Sequence, residues 1–487
     1  MDEDFVPLRN REASPWEEGF SEEDEDSVDL TDKGHECTSE RASSWGLLPH
    51  VCLRHVFRFL CDHDRMSADL VCRHWHHVMH SPSLWRSRFF YFSGQRQSRS
   101  RQAEYWSAVT YARSLGAYLE KLEVCVCPPH NSLMARRLEQ ALIGLLSELT
   151  RLNAPLRILS IVRLELDRTS WTLKHKNSLV NCLINFLHRG SSRLTSVCLN
   201  GMRNGLHQGL ELLSALAHSQ MHRYPQCYIS SLDLRGFFSD TVRVPFNFNI
   251  PHRLRHLQGL TDLSMNYSCL SDELLNTLQC RHRGWRWQFR RDANTLQTFS
   301  LYCAWNEPHE QLVCGDSWAS LKSSSPDLKV RFTVDQVIDT NQLARILLPE
   351  ILLTEYTMTA FYSPDTNWSA RPVLCEMLPW YRCSLQYLTL DLSNCNESLD
   401  EELLQLVTLC ECLKQLKVWA FLEISTAQRL LHIRLTQRKL LNKIRVRMYS
   451  VLNDIEEQED QLEEILSSYL PLPPELEFLA IVYPFLD

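Results

Sequence analysis

A few clusters of side chains in this chain have types and spacings that could do chemistry. Cys72, His74, His76 and His77 bring thiol and imidazole donors close together, the inventory of a zinc site. On a helix, however, 72 and 76 share one face while 74 and 77 share another, so the four do not converge and no metal is expected. Cys125-x-Cys127 and Cys410-x-Cys412 resemble thiolate pairs, but neither has a second half, and buried, weakly polar thiols account for both. Gly315-Asp316-Ser317 sets a serine in a turn, where a nucleophile could be presented. Such a serine needs a base, usually a late histidine with an acid three residues before it, yet the only histidine after Ser317 is His432, and position 429 is Arg429. A turn with an Asp-Ser cap is the better account. Arg281, Arg283, Arg286, Arg290 and Arg291, interleaved with Trp285, Trp287 and Phe289, form a candidate anion-binding loop using bidentate hydrogen bonds and cation–π contacts, against the plainer reading of an insertion without a role. Gly-rich phosphate loops, paired catalytic carboxylates and HExxH are missing from the sequence. The expectation is a non-catalytic chain with no cofactor.

The elements that must position any site begin with residues 48 to 86. Pro49 suits a first helical position, and Leu53, Val56, Phe57 and Leu60 then recur at helical spacing on one stripe. Asp64 can cap a second helix carrying Val71, Trp75 and Val78, and Ser81-Pro82 reads as the cap and first position of a third. So short a segment cannot enclose this many large apolar side chains. Each one left in water forfeits roughly 1.5 to 3 kcal/mol, so part of the apolar surface is expected to be covered by a partner or by the following domain.

The order and spacing of Leu48-Pro49, the Leu53/Val56/Phe57/Leu60 stripe, Val71-Cys72-Arg73-x-Trp75 and Leu84-Trp85-Arg86 resemble the F-box, the adaptor-binding motif of substrate receptors in cullin-based ubiquitin ligases. The resemblance implies that Leu48, Pro49, Leu53, Val56, Phe57, Leu60, Val71, Trp75 and Trp85 dock a Skp-type adaptor or pack the helices that do. Cullin and a RING subunit would be reached through that adaptor, and a target protein would be held by the rest of the chain. No cysteine stands in a credible thioester-forming context, so ubiquitin transfer would fall to the partners. The rival is a scaffold that uses the F-box and adaptor without cullin.

From Leu119 onward a Leu-x-x-Leu-x-Leu strand, a polar turn and an amphipathic helix recur. The strand positions are Leu119/Leu122/Val124, Leu156/Leu159/Ile161, Leu194/Val197/Leu199, Ile229/Leu232/Leu234, Leu260/Leu263/Met265, Leu296/Phe299/Leu301, Leu385/Leu388/Leu390 and Leu413/Leu416/Val418. Ile351 to Thr354 reads as a weaker strand, and Arg445–Tyr449 and Phe478–Tyr483 as the last two. The fold class is α/β: an all-helical F-box followed by a leucine-rich-repeat solenoid, a horseshoe. Successive strands lie roughly 28 to 38 residues apart, longer than the ~20 to 29 of ordinary leucine-rich repeats. Residues between the strand leucines face the concave surface, which nominates Lys121, Glu123, Asp233, Arg235, Asp262, Ser264, Thr389 and Lys417 as a polar, salt-sensitive substrate face. The expected division is an acidic disordered tail at 1–43, the F-box at 44–90, a helical connector at 91–118 and the repeats at 119–487.

Composition bounds the rest. The chain has 487 residues and a net charge of −8, but residues 1–43 hold 15 acidic against 4 basic residues, leaving a balance near +3 elsewhere. Charge therefore gives no support to nucleic-acid binding. The 18 cysteines form no metal ladder, the first dozen residues are acidic rather than a basic leader, and the longest apolar run, Leu343 to Leu353, is broken by Arg345, Pro349 and Glu350. A cytoplasmic or nuclear protein without a membrane segment is the expectation.

Overall fold

The computed structural model describes residues 45, 48–60, 62–92, 101–189, 193–221, 228–240, 250–257, 259–279, 296–307, 309, 312–337, 339–360, 368–394, 397–450 and 455–484. The acidic tail and the arginine-rich insert at 281–291 lie outside them. The chain divides into two compact units, residues 1–160 with 168–193, and residues 161–167 with 194–487.

The first unit opens with α1 (His50–Phe57), α2 (Asp62–Asp69), α3 (Arg73–Met79) and a 3-10 turn at Pro82–Leu84. Two expected boundaries move. Pro49 is the N-cap of α1 rather than its first residue, because its ψ of 144° is extended. Asp64 lies inside α2, and Val71 falls in the turn between helices, where Cys72 caps α3 by accepting from the Trp75 amide. Then come β1 (Ser87–Phe92), α4 (Arg101–Leu115), β2 (Lys121–Val126), α5 (Ser132–Arg151), β3 (Ile158–Val162), whose residues are shared between the units, and α6 (Leu173–Arg189). β1 pairs in parallel with β2, Phe90 opposite Val124 and Phe92 opposite Val126, so a strand runs across the expected 90/91 boundary. Asn131 caps α5 through the Met134 amide (2.9 Å), and Leu138, Leu142, Leu145 and Leu149 line the buried face at helical spacing.

The second unit repeats one move. Its strands are β4 (Ser196–Cys198), β5 (Ser231–Leu234), β6 (Asp262–Asn266), β7 (Thr298–Ala304), β8 (Lys329–Asp335), β9 (Leu353–Ala360), β10 (Tyr387–Leu392), β11 (Gln415–Ala420), β12 (Lys443–Ser450) and β13 (Glu477–Pro484). From β4 to β13 each pairs in parallel with its sequence neighbours. Parallel neighbours need a crossover, and helices supply most of them: α7 (Leu206–Met221), α8 (Ile250–Leu254), α9 (Asp272–Gln279), α10 (Gly315–Ser324), α11 (Thr340–Ile346), α12 (Asp400–Leu409), α13 (Ile424–Thr436) and α14 (Ile455–Ser468). Between β9 and β10 the crossover is a π-turn at Val373–Met377 followed by a 3-10 turn. In each strand up to β12 alternate residues are buried, Leu232, Leu263, Phe299, Val330, Leu388, Leu416 and Ile444 among them at 1% exposure or less.

Neighbouring crossovers are fastened by a recurring cap. Asp272, the first residue of α9, accepts from the amide of Cys314, the N-cap of α10 (2.9 Å). Asp400, the first residue of α12, accepts from the amide of Glu423, the N-cap of α13 (2.9 Å), and from Thr426 Oγ1 (2.5 Å). A carboxylate satisfies orphan donors where the helix dipole is positive, so one helix start holds the next.

Candidate docking surfaces

Leu53, Phe57, Ala68, Val78, Met79 and Leu84 form a small core, with Leu48, Leu60, Trp75 and Trp85 packed against it. Leu53 and Phe57 therefore do not lie on an exposed docking stripe: they are 0% and 2% exposed, and Phe57 meets the Trp75 ring edge-on at 5.0 Å. Leu53 and Phe57 keep the helical spacing on α1 but face inward, whereas Val56 of the same stripe stays exposed and Leu60 lies beyond the helix. Among the apolar side chains in water are Val56 and Val71, together with Val51, Phe59 and Leu70, which were not among the residues nominated for docking; Leu70 is 87% exposed. Pro49 is exposed at the start of α1.

Arg65 is the residue that sequence reasoning passed over. From α2 its guanidinium donates to the carbonyls of Phe57, Arg58 and Leu84, each at 3.1 Å, and lies over the Trp85 ring at 5.7 Å. Those carbonyls end α1 and the 3-10 turn, where unsatisfied acceptors and the negative end of the dipole favour a cation. Trp85 Nε1 donates to Met79 O (2.8 Å), and Tyr111 of α4 donates to Trp85 O (2.9 Å). Arg88 lies near the rings of Phe90 and Tyr111, its pKa lowered by burial. The Cys72/His74/His76/His77 set is dispersed: His74 Nε2 faces Leu48 O (3.0 Å), His77 packs edge-on against His50, and His76 turns toward Asp69.

On the outer face of the second unit's strands four of the predicted residues fall into two rows, with Asp262 in a third and Arg235 just beyond β5. Asp233 and Ser264 are neighbours in one, and Thr389 and Lys417 in the next, each flanked by Thr357 or Arg445. Asp262 lies opposite Ser231 and Thr298 and accepts from Thr261 Oγ1 (2.8 Å). Asp233 is engaged by its own neighbour: Arg235 donates to both carboxylate oxygens, at 3.1, 3.2 and 2.7 Å. In the first unit Lys121 likewise pairs with Glu123 (3.0 Å). Pairing continues with Arg331–Glu355 (3.1 Å), Lys443–Glu477 (2.9 Å) and Arg445–Glu477 (2.6 Å).

At its C-terminal end the expected polar, salt-sensitive face also carries aromatic rings. Arg447 lies 5.3 Å from the Trp419 ring centre and 5.9 Å from that of Tyr483, and Phe421 packs against Tyr449 at 5.4 Å. Register makes the cluster, because Trp419, Arg447 and Ile481 are opposite one another and Tyr449 faces Tyr483. Asp391 pairs with Trp419 in the adjoining strand; burial raises its pKa, while a hydrogen bond to Tyr449 and the charge of Arg447 lower it. The sequence signal was the alternation of Trp419, Phe421, Arg447 and Tyr449 along two strands, which becomes a surface only when the strands are set side by side.

At the strand ends, Asn266 donates to Glu307 and accepts from the Gly236 amide (2.6 Å), and Asn306 donates to Asp240 (2.6 Å). Burial pushes the Glu307 carboxyl up to about 7, against hydrogen bonds from Ser268 and Asn266. Gly315-Asp316-Ser317 forms the first turn of α10 behind the N-cap Cys314, so these residues are helical rather than a capping turn. Cys410 is fully buried and its thiol is pushed up to about 12, the state of a small hydrophobe. Among the described residues no helix is long and apolar enough to cross a membrane.

The F-box-like family matches residues 45–91. The chain is similar to F-box/LRR-repeat protein 21 of Mus musculus, 26% identical over 242 residues, and to its namesakes of Ovis aries (26% over 234) and Bos taurus (25% over 234). The matches cover 48% of this chain and 48% of each relative, so the chain spans about half the length of the curated relatives it matches.

Proposed function

We propose that this chain, with its F-box-like domain and its likeness to F-box/LRR-repeat proteins, is the substrate-recognition subunit of a Skp-cullin-F-box ubiquitin ligase. The observation that carries the reading is a helical domain with a closed core of its own that still leaves Leu70, Val71, Val56 and Phe59 in water. Large apolar side chains exposed together on so small a domain indicate a partner. The partner is a Skp-type adaptor, with cullin and a RING subunit behind it, and catalysis belongs to them. The parallel strand-helix units are read as a leucine-rich-repeat solenoid, and the domain division as tail, F-box, connector and repeats. On this reading the stretch from 91–94 through 118–124, with 343–348 and 419–422, is taken as a resemblance to F-box only protein 39.

The target protein is assigned to the outer strand face, most of all to Trp419, Arg447, Tyr449 and Tyr483, since Trp, Tyr and Arg dominate the energetics of protein interfaces. Cys303 and Cys410 are buried thiols outside any disulfide, which fits a reducing cytoplasmic or nuclear setting. Affinity capture from cells treated with a proteasome inhibitor tests the assembly. Recovery of both adaptor and cullin is expected, adaptor without cullin favours the scaffold reading, and neither overturns the F-box reading. Trp419→Ala with Arg447→Ala should keep adaptor and cullin while losing captured target.

A further inference from the structure

We infer that Asp69, His76 and His80 form a binding site for a divalent first-row transition ion of the zinc class. Asp69 is the last residue of α2, and His76 and His80 are one helical turn apart at the end of α3, so they project from one face. One donor atom from each lies within 4.8 Å of the others. His76 Nδ1 is 3.0 Å and His80 Nδ1 is 3.8 Å from Asp69 Oδ1. A tetrahedral ion with bonds of about 2.0 to 2.2 Å holds its donors roughly 3.3 Å apart, and the two separations bracket that value.

A second observation separates this group from a plain ion pair. Asp69 Oδ1 is shielded from solvent and accepts no hydrogen bond, although His76 Nδ1 is 3.0 Å away, because the two are out of line for one. A buried carboxylate oxygen left this way is costly, and an ion between the donors would satisfy it. The imidazole rings stand 4.2 Å apart, tilted by 51°, with side chains 56% and 57% exposed, which leaves an entry path and room for water as a further ligand. His80 Nδ1 also faces the His76 carbonyl at 2.9 Å, a contact it would exchange for the ion if that nitrogen became the ligand. Two imidazoles and a carboxylate suit zinc better than magnesium or calcium, which prefer oxygen alone.

Bound there, the ion fastens the end of α2 to the end of α3 across the Leu70–Val71 turn. The ion site does not depend on the adaptor reading above. The test is calorimetric zinc titration of the full-length wild type, Asp69→Asn, His76→Ala, His80→Ala and the control His77→Ala, with circular dichroism to verify the fold. Changing even a residue behind a ligand typically weakens metal binding 10- to 100-fold, so each ligand variant should lose at least about tenfold while the control keeps wild-type affinity. Cobalt(II) in place of zinc should show d–d absorption without a thiolate charge-transfer band. Identical isotherms in all variants would assign the zinc to thiols elsewhere and overturn the site. No saturable zinc binding would reduce the group to a carboxylate–imidazole pair and overturn it equally.

Discussion

At Leu53 and Phe57 a carboxylate would be buried without a partner, while at Val71 it would stand in water. Truncation of Leu53 to Ala should cost about 2 to 5 kcal/mol, whereas Val71→Asp should change stability by less than about 0.5 kcal/mol. Thermal denaturation of the two variants checks the difference. Equal losses would contradict the division between core and surface. Glu307 makes a second prediction, with the opposite sign to the usual acid. Its pKa is raised on folding from 4.5 to about 7, so the fold binds the proton more tightly than the unfolded chain does. The stability this gives is complete below the unfolded value and is lost as pH rises through about 7, an effect on the order of 3 kcal/mol. Glu307→Gln should therefore lose less melting temperature between pH 5 and pH 8 than the wild type, and an unchanged slope would remove Glu307 as its cause.

Single elements hold together through neighbours that are distant in sequence. Asp400→Ala removes an acceptor from the Glu423 amide and from the buried Thr426 hydroxyl, and should destabilise the second unit by roughly 1 to 3 kcal/mol, measured by denaturant unfolding. A loss within error would show that α13 finds another cap. The strands with regular leucines were legible in the sequence because a period of two marks a one-sided strand wherever the apolar residue is aliphatic. β1 was missed because its buried positions are Phe90 and Phe92, directly behind the helical motif, and β8 because Val330, Phe332 and Val334 alternate with Lys329, Arg331 and Thr333 without a leucine. The helical stripe of α1 was legible, but a periodic stripe does not say whether it faces its own core or a partner. The inter-helix caps were out of reach, since Asp272 and Cys314 are 42 positions apart and nothing local relates them.

Across the whole molecule the charge is uneven. The tail of net −11 and the arginine-rich insert lie outside the described residues, and their opposite charges on one tethered chain predict a weak contact between them. Deleting residues 1–40 should raise affinity for an acidic peptide at low salt, with the gain fading as salt screens it; equal affinities for the full and truncated chains would exclude the contact. The central claim is that the apolar side chains left in water, with Leu70 and Val71 of the turn after α2 foremost, meet the adaptor, and the buried Leu53 and Phe57 do not. The direct measurement is the affinity of a purified Skp-type adaptor for the full-length chain and for Leu70→Asp/Val71→Asp, a variant expected to keep its melting temperature because both positions are exposed. The account predicts that binding is lost while the fold is retained; adaptor affinity equal to the wild type in that folded variant would contradict it.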